Sequence, residues 1–219
     1  MKIKWYGHSL FELTTKPKKQ EKVRVVIDPY DKKIGLKPPK IKKTDVLLVS
    51  HDHYDHSNTG IVKGDPFLIN GPGEYEIKKV YIKGIPAFHD QSSGKKRGQV
   101  TIFAIEMAGF TICHLSDFGQ KELTEEQLEK IGEVNILMIP VGGNFTIGAK
   151  EAASIVGQIE PQIVIPMHYK IPGLKVDLDG VDKFLKIMGV QKPDKEKFLS
   201  VNKKDLPENE TKVILLEKL

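Results

Sequence analysis

The feature that most constrains this chain is a histidine-rich string directly after a short apolar run. The run covers residues 46–49, and the string reads His51-Asp52-His53-Tyr54-Asp55-His56. An apolar run of this length predicts a buried β-strand, so the string should lie in the loop at the C-terminal end of that strand. Imidazole and carboxylate oxygen are ligands that zinc and similar metals prefer. The string therefore predicts a metal site; a polar loop that happens to be rich in histidine is the alternative.

Other histidines and one aspartate also follow apolar runs. His89 follows residues 85–88, Asp117 follows residues 110–113 after a turn, and His168 follows residues 163–166. A rigid sheet can bring side chains from separate strand ends to one point. Taken alone, each histidine would more often be an ordinary hydrogen-bonded residue, but the string favours a shared role as metal ligands.

Taken together, the motifs resemble the metallo-β-lactamase superfamily. Besides the H-x-H-x-D-H string, the resemblance rests on Gly7-His8-Ser9, Val25-Val26-Ile27-Asp28-Pro29, Phe88-His89-Asp90, His114-Leu115-Ser116-Asp117 and Ile165-Pro166-Met167-His168-Tyr169. It covers the chain to about residue 190. The chain is similar in particular to the small Zn-dependent hydrolases of the branch that contains ascorbate-6-phosphate lactonase-like proteins. It departs from the family at Ser116, where the family usually has glycine before its bridging aspartate.

The resemblance implies an α/β fold, the four-layer αββα sandwich of two mixed sheets flanked by helices. The sequence agrees, because short strand-like segments fill the first half and helices and strands alternate in the second. Strands are predicted at residues 3–6, 10–14, 23–27, 67–70, 74–77, 80–85, 99–106, 110–114, 134–139 and 162–165. Helices are predicted at residues 125–131, 146–159 and 181–188, and edge strands at residues 198–201 and 212–216. Residues 16–20 are predicted to connect a hairpin, and a single domain is expected over residues 1–219.

The resemblance also implies two divalent metal ions, zinc in the first place, with manganese or iron also suited to such ligands. The first metal would be bound by His51, His53 and His89. The second would be bound by Asp55, His56 and His168, and Asp117 would bridge the two metals. Two metals can lower the pKa of a shared water from 15.7 toward about 7. A bridging hydroxide would then be the nucleophile. Asp55 or a metal-bound water could move the proton to the leaving group, and Asp55 and Asp117 are the catalytic candidates.

Further residues are candidates for supporting the ligands or contacting a substrate: His8, Asp28, His114, Asn144 and Tyr169. Asp28 matches the aspartate with which the family supports its ligand histidines, since a carboxylate can fix the tautomer of an imidazole. An Asp-Pro turn residue is the alternative. His8 is expected to line the pocket, with a surface histidine beside a tight turn as the alternative. Cys113 lies within an apolar run and is expected to be a small buried side chain.

Together with the metal-binding motifs, the resemblance implies a hydrolase that acts on a small molecule with an ester, lactone, thioester, amide or phosphodiester bond. The net charge of +5 allows an anionic substrate. Lysines are scattered without interleaved aromatic residues, which disfavours nucleic acid as a partner. A nuclease of the same superfamily and a non-catalytic metal-binding protein remain the alternatives. No stretch approaches the ~20 apolar residues of a membrane span, and the single cysteine fits a reducing compartment. A cytoplasmic location is therefore expected, and the sequence predicts no oligomeric state.

Overall fold

Two β-sheets dominate the computed structural model, which describes residues 1–15, 22–208 and 210–219. The predicted hairpin connection at residues 16–20 lies outside the described residues. One sheet contains strands β1 (Lys2–Trp5), β2 (Phe11–Thr14), β3 (Arg24–Ile27), β4 (Val46–Leu48), β5 (Phe67–Ile69) and β13 (Leu199–Ser200). The other contains β6 (Gly73–Ile77), β7 (Val80–Phe88), β8 (Gln99–Met107), β9 (Phe110–His114), β10 (Ile136–Pro140), β11 (Ile163–Met167), β12 (Asp194–Glu196) and β14 (Lys212–Leu216).

Both sheets are mixed, as the fold prediction requires. The smaller sheet has the order β13-β1-β2-β3-β4-β5, with antiparallel pairs up to β3 and parallel pairs beyond it. The larger sheet has the order β12-β14-β11-β10-β9-β8-β7-β6. Its strands are parallel from β12 to β9 and antiparallel from β9 to β6. The prediction of two mixed sheets is confirmed.

Helices cover the larger sheet. The described residues form three α-helices, which are α1 (Glu125–Ile131), α2 (Ala149–Ile159) and α3 (Asp182–Ile187). α1 begins at the predicted capping box, in which Thr124 and Gln127 exchange side chain–backbone hydrogen bonds. α1 packs against β7, and α2 packs against α3. Among the helices of the described chain, none has the length and apolar content needed to cross a bilayer.

The smaller sheet is covered differently. Its inward side chains, such as Ile3 and Trp5 of β1, join the large core that it shares with the other sheet. Its outward side chains, such as Val26 and Leu47, pack against Ile34 and other apolar residues of the segments around residues 30–41 and 174–178. These segments contain the 3-10 helix Lys32–Ile34, so loops and a short helix form the outer layer here.

One strand lies in a different position from its prediction. Residues 212–216 are predicted to form an edge strand, but β14 lies between β12 and β11. Four of its five residues are buried, because neighbouring strands and packed side chains surround it. The edge is β12, which the sequence analysis missed because its Asp-Lys-Glu sequence has no apolar pattern. Short, charged strands are common at sheet edges. Residues 198–201 do form an edge, as β13.

Candidate metal centre

The candidate ligands lie at strand ends along one rim of the sandwich. β7 ends directly before His89, and β11 ends directly before His168. β9 is followed by the turn to Asp117 and is linked to β11 by parallel pairing through β10. β7 runs in the same direction as β9, because both are antiparallel to β8. β4 of the other sheet leads into the histidine string. The strand ends therefore meet, as the sequence predicts.

A first group of donors consists of His51, His53 and His89, whose ligand atoms lie within 4.8 Å of one another. His51 Nε2 is 3.0 Å from His53 Nδ1. The ring centroid of His89 lies 5.0 Å from that of His51 and 5.2 Å from that of His53. This is the set predicted for the first metal, and it includes the exposed side chain of His53.

A second group of donors consists of His8, Asp55, His56 and His168. Asp55 Oδ2 is 3.1 Å from His8 Nε2 and 3.8 Å from His56 Nε2. Three members of this group are the residues predicted for the second metal. His8 is the addition, since the sequence analysis expected it only to line the pocket. All three imidazoles are fully or almost fully buried.

Asp117 lies between the two groups. Its Oδ2 atom faces the first group, 3.4 Å from His89 Nε2. Its Oδ1 atom faces the second group, 3.2 Å from His56 Nε2 and 3.3 Å from His168 Nε2. Each oxygen therefore faces a different group, which is the arrangement that a bridging carboxylate needs.

The donor atoms fit a divalent metal. Buried His56 Nε2, His168 Nε2 and Asp117 Oδ1 have no hydrogen-bond partner among the described residues, and buried polar atoms are rarely left in that state. Neighbouring donor atoms of the two groups and Asp117 lie 3.0–3.8 Å apart. Ligands about 2.0–2.1 Å from a tetrahedral zinc ion are separated by roughly 3.3 Å. Both the chemistry and the spacing of the donors suit metal ions.

A single carboxylate orients one histidine of each group. Asp28 accepts hydrogen bonds from His56 Nδ1 at 3.0 Å and from the Ser50 hydroxyl and amide, both at 2.8 Å. The Ser50 hydroxyl, having donated to Asp28, accepts from His51 Nδ1 at 2.9 Å. With both Nδ1 atoms acting as donors, the Nε2 lone pairs of His51 and His56 point into the site. The supporting role predicted for Asp28 matches this arrangement, whereas no role was predicted for Ser50.

The charges of the site favour a bound cation. Burial would raise the pKa of Asp117, but His168 and His56 hold it well below its usual range. Burial would lower the pKa of His56, but Asp117 and Asp28 raise it well above its usual value. Burial and the charge of His56 lower the pKa of His51 to about 3. These shifts favour the carboxylate form of Asp117 and the neutral form of His51, which are the forms that bind metal, and they favour a protonated His56 in the absence of metal.

Comparison with known proteins identifies the family of the chain. A family model described as the Beta-lactamase superfamily domain matches residues 2–168. The chain belongs to this superfamily. A UPF0173 metal-dependent hydrolase of Pyrococcus abyssi is 30% identical over 217 residues, covering 86% of this chain and 92% of that protein. A metallo-β-lactamase superfamily structure from Thermotoga maritima is 35% identical, with a TM-score of 0.77 and 99% of each chain covered.

More distant structures share only the fold. An isothiocyanate hydrolase from Delia radicum gut bacteria has a TM-score of 0.66 and covers 92% of this chain and 99% of its own, but it is 12% identical. A fold of this kind hosts many chemistries, so the likeness does not select a substrate. The predicted superfamily is confirmed, and membership of the ascorbate-6-phosphate lactonase-like branch stays a prediction.

Several site residues have a left-handed backbone, which is uncommon for residues other than glycine. The φ angles are 55° at His8, 51° at Asp28, 55° at Ser116 and 50° at His168. Ser116, at the position where the resemblance implies glycine, is held by hydrogen bonds of its hydroxyl and its amide. Its hydroxyl donates to the Thr101 carbonyl at 2.8 Å, and its amide donates to His114 Nδ1 at 3.2 Å. Serine therefore takes the turn that directs Asp117 into the site.

The structure places His114, Asn144 and Tyr169 outside both donor groups. His114 supports the Ser116 turn, and its Nε2 donates to the Ser9 carbonyl at 3.1 Å. Exposed Asn144 donates to the Asp177 carbonyl at 2.8 Å. Tyr169 is buried, with its ring centroid 5.3 Å from that of Trp5. A role for any of them in substrate contact stays a prediction.

Two glycines allow the ligand loops to approach one another. A Cβ atom at Gly119 would overlap the backbone of His89, and one at Gly142 would overlap the carbonyl oxygen of His168. Any side chain at either position would push a ligand-bearing segment aside. The sequence analysis missed both residues, because a glycine required by a distant backbone carries no local pattern.

Proposed function

We propose that this chain is a metal-dependent hydrolase in which two divalent ions supply a bridging hydroxide as the nucleophile at neutral pH. Zinc is the preferred metal, and manganese or iron would suit the same donors. The observation that carries the proposal is the position of Asp117, whose two oxygens face different donor groups. The similarity to proteins named metal-dependent hydrolases supports it.

The chain's own residues would orient the reaction. Asp28 and Ser50 hold the lone pairs of two ligand histidines toward the site. Asp55 is partly accessible, with 14% of its side chain exposed. Burial would raise its pKa, but the hydrogen bond to His8 and the charge of His56 keep it below its usual range. Asp55 is thus ionised, as a metal ligand must be, and its accessible position is the reason to assign it the transfer of a proton to the leaving group.

The loop after His89 favours a small substrate with an anionic group. Asp90 accepts hydrogen bonds from four backbone amides of residues 92–97, at 2.7–3.1 Å, and so fixes this loop. The Arg97 guanidinium lies 5.2 Å from the ring centroid of Phe145, a residue of the loop between β10 and α2. No ion pair of that guanidinium is found within the described residues. Arginine stacked on an aromatic ring keeps its donors free for a carboxylate or phosphate.

Metal analysis combined with a substrate panel tests the proposal. Protein stripped with a chelator is reloaded with Zn²⁺ or Mn²⁺ and assayed with an aryl ester, a lactone, an aryl phosphodiester and a single-stranded oligonucleotide. We expect close to two metals per chain, hydrolysis of one of the small substrates, loss of turnover with the chelator and recovery on reloading.

Other outcomes would select the alternatives. A protein that stays metal-free in saturating zinc would overturn the site assignment. Two bound metals without turnover on any substrate would favour a non-catalytic metal-binding protein, and preferred cleavage of the oligonucleotide would favour a nuclease. For the anionic group, Arg97→Gln should raise KM for a charged substrate and leave KM for a neutral analogue unchanged. The single domain and the cytoplasmic location remain predictions from the sequence.

A further inference from the structure

We propose that His8 is a direct metal ligand and the fourth terminal donor of the second metal site. This inference rests on the proposed function, since it assumes that two metals bind. His8 would join Asp55, His56 and His168, with Asp117 shared between the two sites. Beyond the bridging hydroxide, the second metal would then keep no position for a substrate, while the first metal would keep one.

The first argument is proximity. His8 is fully buried, and its Nε2 atom lies 3.1 Å from Asp55 Oδ2. Its ring centroid lies 4.1 Å from that of His168 and 5.1 Å from that of His56. Its donor atom and those of the three other members all lie within 4.8 Å of one another. A single ion can therefore contact all four.

The second argument is that the backbone holds His8 in this place. Its φ of 55° lies in the left-handed region, which persists in a non-glycine residue only where surrounding contacts enforce it. The His8 carbonyl accepts hydrogen bonds from Trp5 Nε1 at 2.9 Å and from the His168 amide at 3.2 Å. The second of these bonds ties His8 directly to another member of the group. The turn between β1 and β2 is thereby fixed to the end of β11.

The third argument is the difference in the number of protein ligands between the two metals. Closed sites with four protein ligands are typical of structural zinc, whereas catalytic sites keep a position for water or substrate. With His8, the second site has four terminal donors, and the first has only His51, His53 and His89. Exposed His53 belongs to the first group, so the site with fewer donors is also the one that solvent reaches. A substrate would therefore bind at the first metal.

Two variants separate a ligand from a residue that merely hydrogen-bonds Asp55. His8→Gln keeps an N–H group that can reach Asp55, but its amide is a poor zinc ligand. His8→Asn is too short to reach Asp55, and asparagine tolerates the left-handed backbone. His114→Gln is the matched control, because it also removes a buried imidazole but lies outside both donor groups.

The measurement is a titration of the metal-free proteins with Zn²⁺ in competition with a chelator. We expect both His8 variants to keep the first site and to lose more than about 100-fold in affinity at the second. Replacing a residue that only supports a ligand typically lowers metal affinity by about 10–100-fold. His114→Gln should stay within that smaller range. The visible absorption of the Co²⁺-loaded protein should also change in both His8 variants, because the coordination of one ion changes.

The remaining outcomes decide against the inference. If His8→Gln binds the second metal within about tenfold of the wild-type protein, the imidazole serves only as a hydrogen-bond donor to Asp55. A loss of about 10–100-fold in both variants would likewise make His8 a positioning residue. If the wild-type protein itself binds fewer than two ions, the proposed function fails first, so the two failures are distinguishable.

Discussion

The two donor groups differ in how deeply the fold buries them. In the first group only His89 is buried, and His53 is exposed; in the second, all three histidines are buried. The second group also contains two left-handed residues, His8 and His168, which a direct backbone hydrogen bond joins. The fold thus enforces the geometry of the second group, whereas the first group lies where solvent reaches it. The two donor groups differ in burial although Asp117 faces both of them.

Removal of the shared carboxylate should have the largest effect. We expect Asp117→Ala to bind only one metal and to lose more than about 100-fold in turnover. Loss of a bridging ligand should cost more than loss of a supporting residue, which typically costs about 10–100-fold. The protein should still fold, because Asp117 is at the rim and the core is built without it. Metal analysis, turnover and circular dichroism check this. Unchanged stoichiometry and turnover would show that the bridge is elsewhere.

The next variants test whether the two groups share support. Asp28 hydrogen-bonds His56 directly and reaches His51 only through Ser50. We expect Asp28→Asn to weaken both metals by about 10–100-fold and Ser50→Ala to weaken mainly the first. Competition with a chelator measures each site. A larger loss of affinity at the second site than at the first in Ser50→Ala would contradict the assignment of Ser50 as the support of His51.

Local sequence was sufficient to predict much of this site. The string from His51 to His56, together with His89 and His168, follows apolar runs that could be recognised as strands, and the structure brings their ends together. Membership of His8 in the second group could not be read in the same way. It depends on the packing of the β1–β2 turn against the end of β11, far away in sequence, and nothing near Gly7-His8-Ser9 reports that contact.

The other residues and the strand that the sequence did not reveal also depend on contacts between distant segments. Gly119 and Gly142 matter because a distant backbone passes close to them. Ser50 lies between the apolar run and the histidine string, but its hydrogen bonds to Asp28 form only because β3 and β4 pair. β12 has too few apolar residues to show a strand pattern and forms because β14 offers it an edge. A sequence pattern identifies residues whose role depends on their own segment. It misses residues whose role depends on contacts with segments distant in sequence.

The buried group should make metal-induced stabilisation depend on pH. In the metal-free protein, burial opposes protonation of His56, but Asp117 and Asp28 raise its pKa well above the usual value. A raised folded-state pKa stabilises the fold below the unfolded value of about 6.5, and this stabilisation is lost as the pH rises through the folded pKa. A metal replaces that proton. The increase in Tm on adding Zn²⁺ should therefore grow from pH 5.5 to 8.5, by roughly 3–5 °C per pH unit.

Thermal unfolding with and without metal across that range measures the effect. Calorimetry in buffers with different ionisation enthalpies provides the control, since about one proton per chain should be released on metal binding near neutral pH. A stabilisation that is constant across the range, with no proton released, would mean that His56 is neutral in the metal-free protein.

The smallest effect is expected at a residue that belongs to neither group. Cys113 is fully buried in β9, and burial raises the pKa of its thiol above the usual range, so it is a poor nucleophile. Cys113→Ala should leave turnover and metal content within about twofold and cost stability by about 1 kcal/mol, as typical point substitutions do. Activity assays and thermal unfolding check this. Mass spectrometry during turnover is the sharper test, because hydrolysis by direct attack of hydroxide forms no covalent intermediate. A trapped acyl- or phosphoryl-enzyme would overturn that mechanism even with two metals bound, and its loss in Cys113→Ala would identify the thiol as the nucleophile.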